Sequence, residues 1–454
     1  MTVSRDIPHI ADAVYQLTPA DGNPSSRANL QFVLFYQTDK PIPPLQRTHL
    51  RQSYFQTLLH YPIFHGRLHR HPVSGHSDQA SISVTPLSKA TLAPSYTEHL
   101  VDQPVAEIAQ AKYHWDAWPP ELLSIPVIRE QHHEVPLAQC VVTWHPDGMG
   151  VLFSVDHSVA DGVGVDILLR QWAGMARDGE MGVPVDFDHA GMYAELDGVV
   201  AQEDHWFVRH VDGVQLPLAE EQGAECSAIL DSDPRTPRQV EQAMRRNVHC
   251  FTMTPAQLLR LQSDSAEPLP AIRLAYALFW QRYMHALQAA PCEPTLVNII
   301  HSTRSLISRP HYIGNAVCPV YIRMPAQKLA RQSVAEVAQE IGRHMHMQTK
   351  GAWAALLQMM QDPGRYRKFL TVFGNPQAKQ MSLSNISRLR FFDADFGFGA
   401  PRFVSVYPAL IPGFATWMPL GPEGGLRILW NIADQAFERM ANDPMLTKYV
   451  DVVF

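Results

Sequence analysis

The chain has 454 residues, 46% of them hydrophobic and 18% charged, with a formal net charge of -7. That length exceeds one ordinary core, so two domains are expected, and the composition is that of a globular protein able to bury both. The acidic balance argues against a nucleic-acid binder, and no apolar run of about 18 residues marks a membrane span.

Asn29–Gln37 (NLQFVLFYQ) reads as a buried strand, and Leu50–Leu59 as a helix that ends at Tyr61-Pro62, where proline removes a donor. Leu137–Trp144 and Gly150–Val155 flank the turn signal His145-Pro146-Asp147-Gly148 and predict a hairpin. The second strand runs straight into His157-Ser158-Val159-Ala160-Asp161-Gly162, an H-x-x-x-D-G turn. A helical pattern follows at Val163, Ile167, Leu168 and Trp172.

From about Pro184 to Gln242 the period fades, and Ser232-Asp233-Pro234-Arg235-Thr236-Pro237 is linker-like. A second domain opens with a strand near Val248–Met253, then Thr254-Pro255, an N-cap with proline at the first helical position. Ile272–Leu287 predicts a long apolar helix, and Ser333 with Glu336 a capping box before another. The expected division is an N-terminal α/β domain over 1–185, a crossover over 186–245 and a C-terminal α/β domain over 246–454. Part of the last, about 395–418, is expected to pack on the N-terminal domain.

The five cysteines (Cys140, Cys226, Cys250, Cys292, Cys318) are scattered without C-x-x-C spacing, which fits reduced thiols and neither a disulfide framework nor a zinc site. Met1–Tyr15 has no apolar core of a signal peptide, so a cytoplasmic location is expected.

His157 is the candidate general base. An imidazole at the end of a rigid strand titrates near neutrality and is placed to take a proton from an alcohol or amine. Asp161, at the helix start, is suited to bond free N–H groups there. His132, His133 and His145 sit in polar turn contexts and read as solvated. His344 and His346, two apart on a predicted helix, do not form an i, i+4 metal pair, so no metal site is expected.

Downstream stands Asp395-Phe396-Gly397-Phe398-Gly399. With the His157 motif, in this order and separation, it resembles the signatures H-x-x-x-D and D-F-G-W-G of the BAHD acyl-CoA-dependent acyltransferases. Four weaker segments agree in order: Leu17-Thr18-Pro19 with Asp21, His65-Gly66-Arg67-Leu68, Tyr312-Ile313-Gly314-Asn315-Ala316 and Gly424-Gly425-Leu426. The resemblance implies two similar mixed-sheet α/β domains, chloramphenicol-acetyltransferase-like, with a channel between them. It also implies acyl-CoA as co-substrate, no prosthetic group, a small-molecule acceptor and a monomer without nucleic-acid or membrane partners.

By the same resemblance Asp161 and Gly162 are structural, and Asp161 points away from the channel to pair with an arginine, Arg304 or else Arg309. Asp395, Gly397 and Gly399 are architecture, the glycines permitting a tight backbone path. Phe398 stands where the family carries tryptophan. The family often reads T-S-W where this chain has Ser384-Asn385-Ile386, so the indole donor proposed for the oxyanion is missing and Asn385 is the nearest side chain with an N–H. Ser384 and Ser305 are candidate coenzyme A contacts. The helix at Pro270-Ala271-Ile272 lacks the serine or threonine that commonly contacts coenzyme A.

The expected reaction is transfer of an acyl group, acetyl foremost, to a hydroxyl or amine of a specialised metabolite. His157 acts as base and no covalent acyl-enzyme forms, Cys140 reading as a core residue. Three alternatives stay open: a carrier-protein-dependent condensation enzyme, which typically has two adjacent histidines where this chain has Asp156-His157; a CoA-independent cyclase or rearrangement enzyme using the same base; and a catalytically silent member.

Overall fold

The computed structural model describes residues 14–18, 21, 29–73, 76–86, 95–125, 136–182, 185–196, 199, 247–361, 379–407 and 413–454. They fall into two compact units. One gathers the described residues of Met1–Asp197 with Arg309–Ala316 and Arg390–Tyr407; the other takes those of Gly198–Ser308, Val317–Leu389 and Pro408–Phe454. Each is an α/β unit built on a mixed sheet.

In the first unit five strands lie in the order Phe403–Val406, Asn29–Gln37, Gly148–Asp156, Ala138–His145 and Tyr96–Leu100. All pairs are antiparallel except the last. The apolar run of Gly148–Asp156 is buried along its whole length, as a short unbroken hydrophobic segment at the centre of a sheet should be. A smaller sheet joins Tyr15–Gln16, His76–Pro86 and Gly66–Val73.

Two 17-residue helices, Pro44–His60 and Gly162–Asp178, pack against each other. Trp172 lies edge-on to Tyr54, with ring centroids 5.2 Å apart, and its indole N–H donates to Ser53 Oγ (3.2 Å). The second helix ends at Gly179, whose φ of +74° is the left-handed stop that glycine adopts at least cost.

The second unit carries seven strands in the order Val317–Pro325, Pro294–Ser302, Gln380–Asn385, Phe414–Gly421, Gly424–Asn431, Val248–Met253 and Asp451–Val452. Gln380–Asn385 runs parallel to both neighbours; the other pairs are antiparallel. Helices Ala271–Ala286 and Val334–His346 bury Phe279, Trp280, Val337 and Ile341 against Val297, Ile299, Trp417 and Trp430 of the sheet. Capping boxes at Thr254/Gln257 and Ser333/Glu336 satisfy free N–H groups at two helix starts.

The helix expected from Leu50 begins six residues earlier, at Pro44, with proline in its first turn. The described part of the expected crossover, through Leu196, contains a short helix, His189–Ala194, and belongs to the first unit. Ser232–Pro237, Cys226, His132 and His133 lie outside the described residues. Among the described residues no helix is long and apolar enough to cross a membrane.

Candidate active site

Gly148–Asp156 delivers His157 at its C-terminal end, one residue beyond the Asn29↔Asp156 pair. Asp156 starts the turn: its Oδ1 accepts from Ser158 N–H (2.8 Å) and its carbonyl from Val159 N–H (3.1 Å). His157 itself is half-buried, and its Nδ1 is buried without a hydrogen-bond partner among the described residues. Among the described residues, therefore, no carboxylate orients this imidazole from Nδ1 in the manner of a serine-protease triad.

Asp161 is 4% exposed and N-caps the following helix, its Oδ1 accepting from Val163 N–H (3.0 Å) and Gly164 N–H (3.1 Å). Its Oδ2 accepts from Ala316 N–H (3.2 Å), and its own N–H donates to Ile313 O (3.3 Å). Gly162 is the first residue of the helix. At Gly164 a Cβ would lie 2.1 Å from Ile313 O, so only glycine lets segment 309–316 approach so closely.

That segment works as a strap across the His157 loop. Arg309 ties one end through ion pairs to Asp186 (2.9 Å) and Glu195 (2.5 Å), so its guanidinium is engaged there. Tyr312 lies edge-on to the His189 ring, with centroids 5.3 Å apart. His189 Nδ1–H donates to Phe187 O (2.8 Å), leaving Nε2 as a buried acceptor with no described partner. A Cβ on Gly314 would meet that Nε2 at 2.7 Å and the Tyr312 hydroxyl at 2.2 Å.

At the other end Asn315 donates from Nδ2 to His157 O (2.7 Å) and to Asp21 Oδ1 (2.9 Å), and from its main-chain N–H to the same Asp21 oxygen (3.1 Å). Thr18 N–H and Oγ donate to Asp21 Oδ2 at 2.8 and 2.7 Å. Asp21 and Asn315 stand in the sequence only as parts of motif-like segments. No local period or spacing reveals that they meet, because their separation in the chain is 294 residues.

Asp395 shapes its own turn, Oδ1 accepting from Gly397 N–H (2.8 Å) and Gly399 N–H (2.9 Å). Both glycines have positive φ, +93° and +85°. A cavity of about 220 Å3 beside this turn is lined by Gln46, His49, Arg177, Phe396 and Phe398; it includes no residue of the His157 loop.

In the second unit Asn385 ends its strand, with Cα partner Trp417. Its Oδ1 accepts from Ser387 N–H (2.9 Å) and its Nδ2 makes a short bond to the Tyr276 hydroxyl, a phenol that burial pushes up to about 12. Ser384 is half-buried, Ser305 exposed and Arg304 buried. Cys140 is 1% exposed, and burial raises its thiol well above the ordinary range. No group of three or more His, Cys, Asp or Glu able to hold a metal occurs among the described residues.

Comparison with solved structures finds the same fold in other chains. F. graminearum TRI101 complexed with ethyl coenzyme A matches at TM-score 0.76 and 16% identity, over 98% of this chain and 100% of that one. F. sporotrichioides TRI101 complexed with coenzyme A and T-2 matches at TM-score 0.75 and 15% identity, over 97% and 100%. Vinorine synthase matches at TM-score 0.64 and 17% identity, over 98% and 95%. No curated protein matches the sequence. The model of the transferase family matches residues 7–419, nearly the whole chain and both of its signature motifs, and the chain accordingly belongs to that family, the BAHD acyltransferases.

Proposed function

We propose that this acyltransferase moves an acyl group, acetyl foremost, from acyl-CoA to a hydroxyl, or else an amine, of a specialised metabolite. His157 serves as general base. The observation that carries the reading is a half-buried imidazole at the end of a buried strand, on a loop held by Asp156, Asp161 and Asn315. A base held on such a frame keeps its ring where a bound acceptor can reach it. The coenzyme A named in the TRI101 structures supports the donor class.

In the reaction His157 takes the acceptor proton while the acceptor oxygen attacks the thioester carbonyl. The tetrahedral oxyanion collapses, the carbon–sulfur bond breaks, and the protonated imidazole returns its proton to the coenzyme A thiolate. General-base assistance contributes about two to four orders of magnitude. Asn385 keeps one amide hydrogen beyond its bond to Tyr276 and is the proposed oxyanion donor, worth about two to three orders more. Ser384 and Ser305 are proposed coenzyme A contacts. With the Cys140 thiol buried and its ionisation suppressed, direct transfer is favoured over a cysteinyl acyl-enzyme.

The test incubates the protein with a panel of acyl-CoAs and candidate alcohols and amines, following thiol release with a chromogenic reagent. His157→Ala is expected to abolish acyl transfer while keeping the parent's unfolding midpoint. Retention of most of the parent kcat in that variant removes His157 as base.

A further inference from the structure

We propose that Asn315, backed by Asp21, is the positioning residue of His157, fixing the histidine through its main-chain carbonyl. The inference rests on the general-base reading above and assigns what holds that base in place.

Nothing described holds the ring from its Nδ1 side, so its direction follows from the backbone of the loop. The carbonyl of His157 receives the Asn315 amide at 2.7 Å, and the Ser158 N–H of the same peptide donates to Asp156 at 2.8 Å. The peptide plane that follows His157 is thus bonded at both its oxygen and its nitrogen.

The orientation of the Asn315 amide is forced. Both neighbours, the His157 carbonyl and the Asp21 carboxylate, only accept hydrogen bonds, so Nδ2 faces both and uses its two hydrogens on them. Asp21 in turn is fully buried and, from the described residues, accepts two hydrogen bonds from Thr18 and two from Asn315. A buried carboxylate so completely satisfied is a stiff anchor, because every displacement leaves a charged oxygen unpaired. Asparagine is the side chain this geometry requires. Aspartate at 315 would set oxygen against oxygen at both contacts, and alanine would leave the His157 carbonyl without that donor.

The test uses the full chain with three variants: Asn315→Ala, Asn315→Asp and the exchange Asp21→Asn with Asn315→Asp. Acetyl-CoA turnover by thiol release, with the best alcohol of the panel as acceptor, gives kcat and the KM for acetyl-CoA; thermal unfolding gives the folded fraction. Asn315→Ala should lower kcat per folded molecule by about 10- to 100-fold, the scale of an ångström-sized misplacement, with KM for acetyl-CoA within about two-fold of the parent. Asn315→Asp should be the least stable. The exchange lets an amide at 21 donate to a carboxylate at 315 but loses the oxygen that took the residue-315 main-chain N–H, so its unfolding midpoint should recover part of the way from that of Asn315→Asp toward the parent's. Its kcat should stay low, because a carboxylate at 315 has nothing to donate to the His157 carbonyl. A merely structural role would instead let activity return with stability in the exchange, or leave kcat near the parent's in Asn315→Ala; either result overturns the proposal. His157→Ala measured alongside separates the two readings. If it retains activity both fall, and if it is inactive while the Asn315 variants turn over normally only this one does.

Discussion

Asn385 accepts the Ser387 N–H at Oδ1 and donates one Nδ2 hydrogen to the Tyr276 hydroxyl, so truncating it removes two local bonds and one candidate oxyanion donor together. Asn385→Ala should lower kcat by about two to three orders of magnitude, about 2.7–4 kcal/mol in the barrier, with little change in acceptor KM. The unfolding midpoint should fall as well. A kcat per folded molecule close to the parent's would transfer the oxyanion role to a main-chain N–H. At His65 the lever is pH instead. The residue is fully buried, and burial, partly opposed by the Leu58 carbonyl, lowers its pKa from 6.5 to about 4. Between those values the unfolded chain binds a proton that the folded chain refuses, so stability falls as pH drops through that window. His65→Gln should flatten this part of the profile. Urea titrations at pH 7, 5.5 and 4 check it, and an equally steep acid loss in the variant would locate the protonation elsewhere.

Elements written in one stretch of chain are the ones the sequence disclosed. Strand Asn29–Gln37, the hairpin before His157, the Thr254 and Ser333 capping boxes and the helix around Trp280 all declare themselves within about a dozen residues, by period or by cap chemistry. The Pro44–His60 helix was legible only from Leu50, because its first turn carries exposed side chains at Leu45, Gln46 and Thr48 that break the apolar period. Segment 309–316 has no period at all. What fixes it are partners at Asp21, Asp161, Asp186 and Glu195, each more than 100 residues away in the chain. Its contact with the helix gives a direct test. Gly164→Ala would place a methyl 2.1 Å from Ile313 O, and since the obstacle is backbone, helix and strap must part. An overpacking loss of about 1–3 kcal/mol is expected in denaturant unfolding, with activity falling through the shifted Asp161–Ala316 bond. An unchanged midpoint would show that the strap yields freely.

At the scale of the molecule the two units are not two consecutive pieces of chain. The first runs past 185 and takes back Arg309–Ala316 and Arg390–Tyr407. Composition showed a polar stretch and suggested a boundary there; packing of about 395–418 on the first domain was expected, but no composition shows that residue 403 returns as a strand beside Asn29–Gln37. That strand, Phe403–Val406, covers one edge of Asn29–Gln37, and Ala394 O accepts the Tyr36 hydroxyl at 2.6 Å. A fragment of residues 1–245 lacks both, along with Asn315 and Ala316. It should therefore expose an apolar strand edge, associate in sedimentation and melt without a cooperative transition. A monomeric fragment with a sharp melt would show that Asn29–Gln37 tolerates an open edge.

The same interleaving sets a clock during synthesis. When residue 197 leaves the ribosome, the His157 loop still lacks its strap, and the sheet lacks the strand that will cover Asn29–Gln37. About 120 more residues must be translated before Ala316 appears, and about 210 before Tyr407 does. At roughly 5–20 residues per second the second wait lasts about 10–40 s, long compared with the collapse of the rest of the unit. Through that interval the unfinished edge is open to chaperones and to neighbouring nascent chains alike, so the yield of active protein in a cell should respond to translation rate as much as to thermodynamic stability.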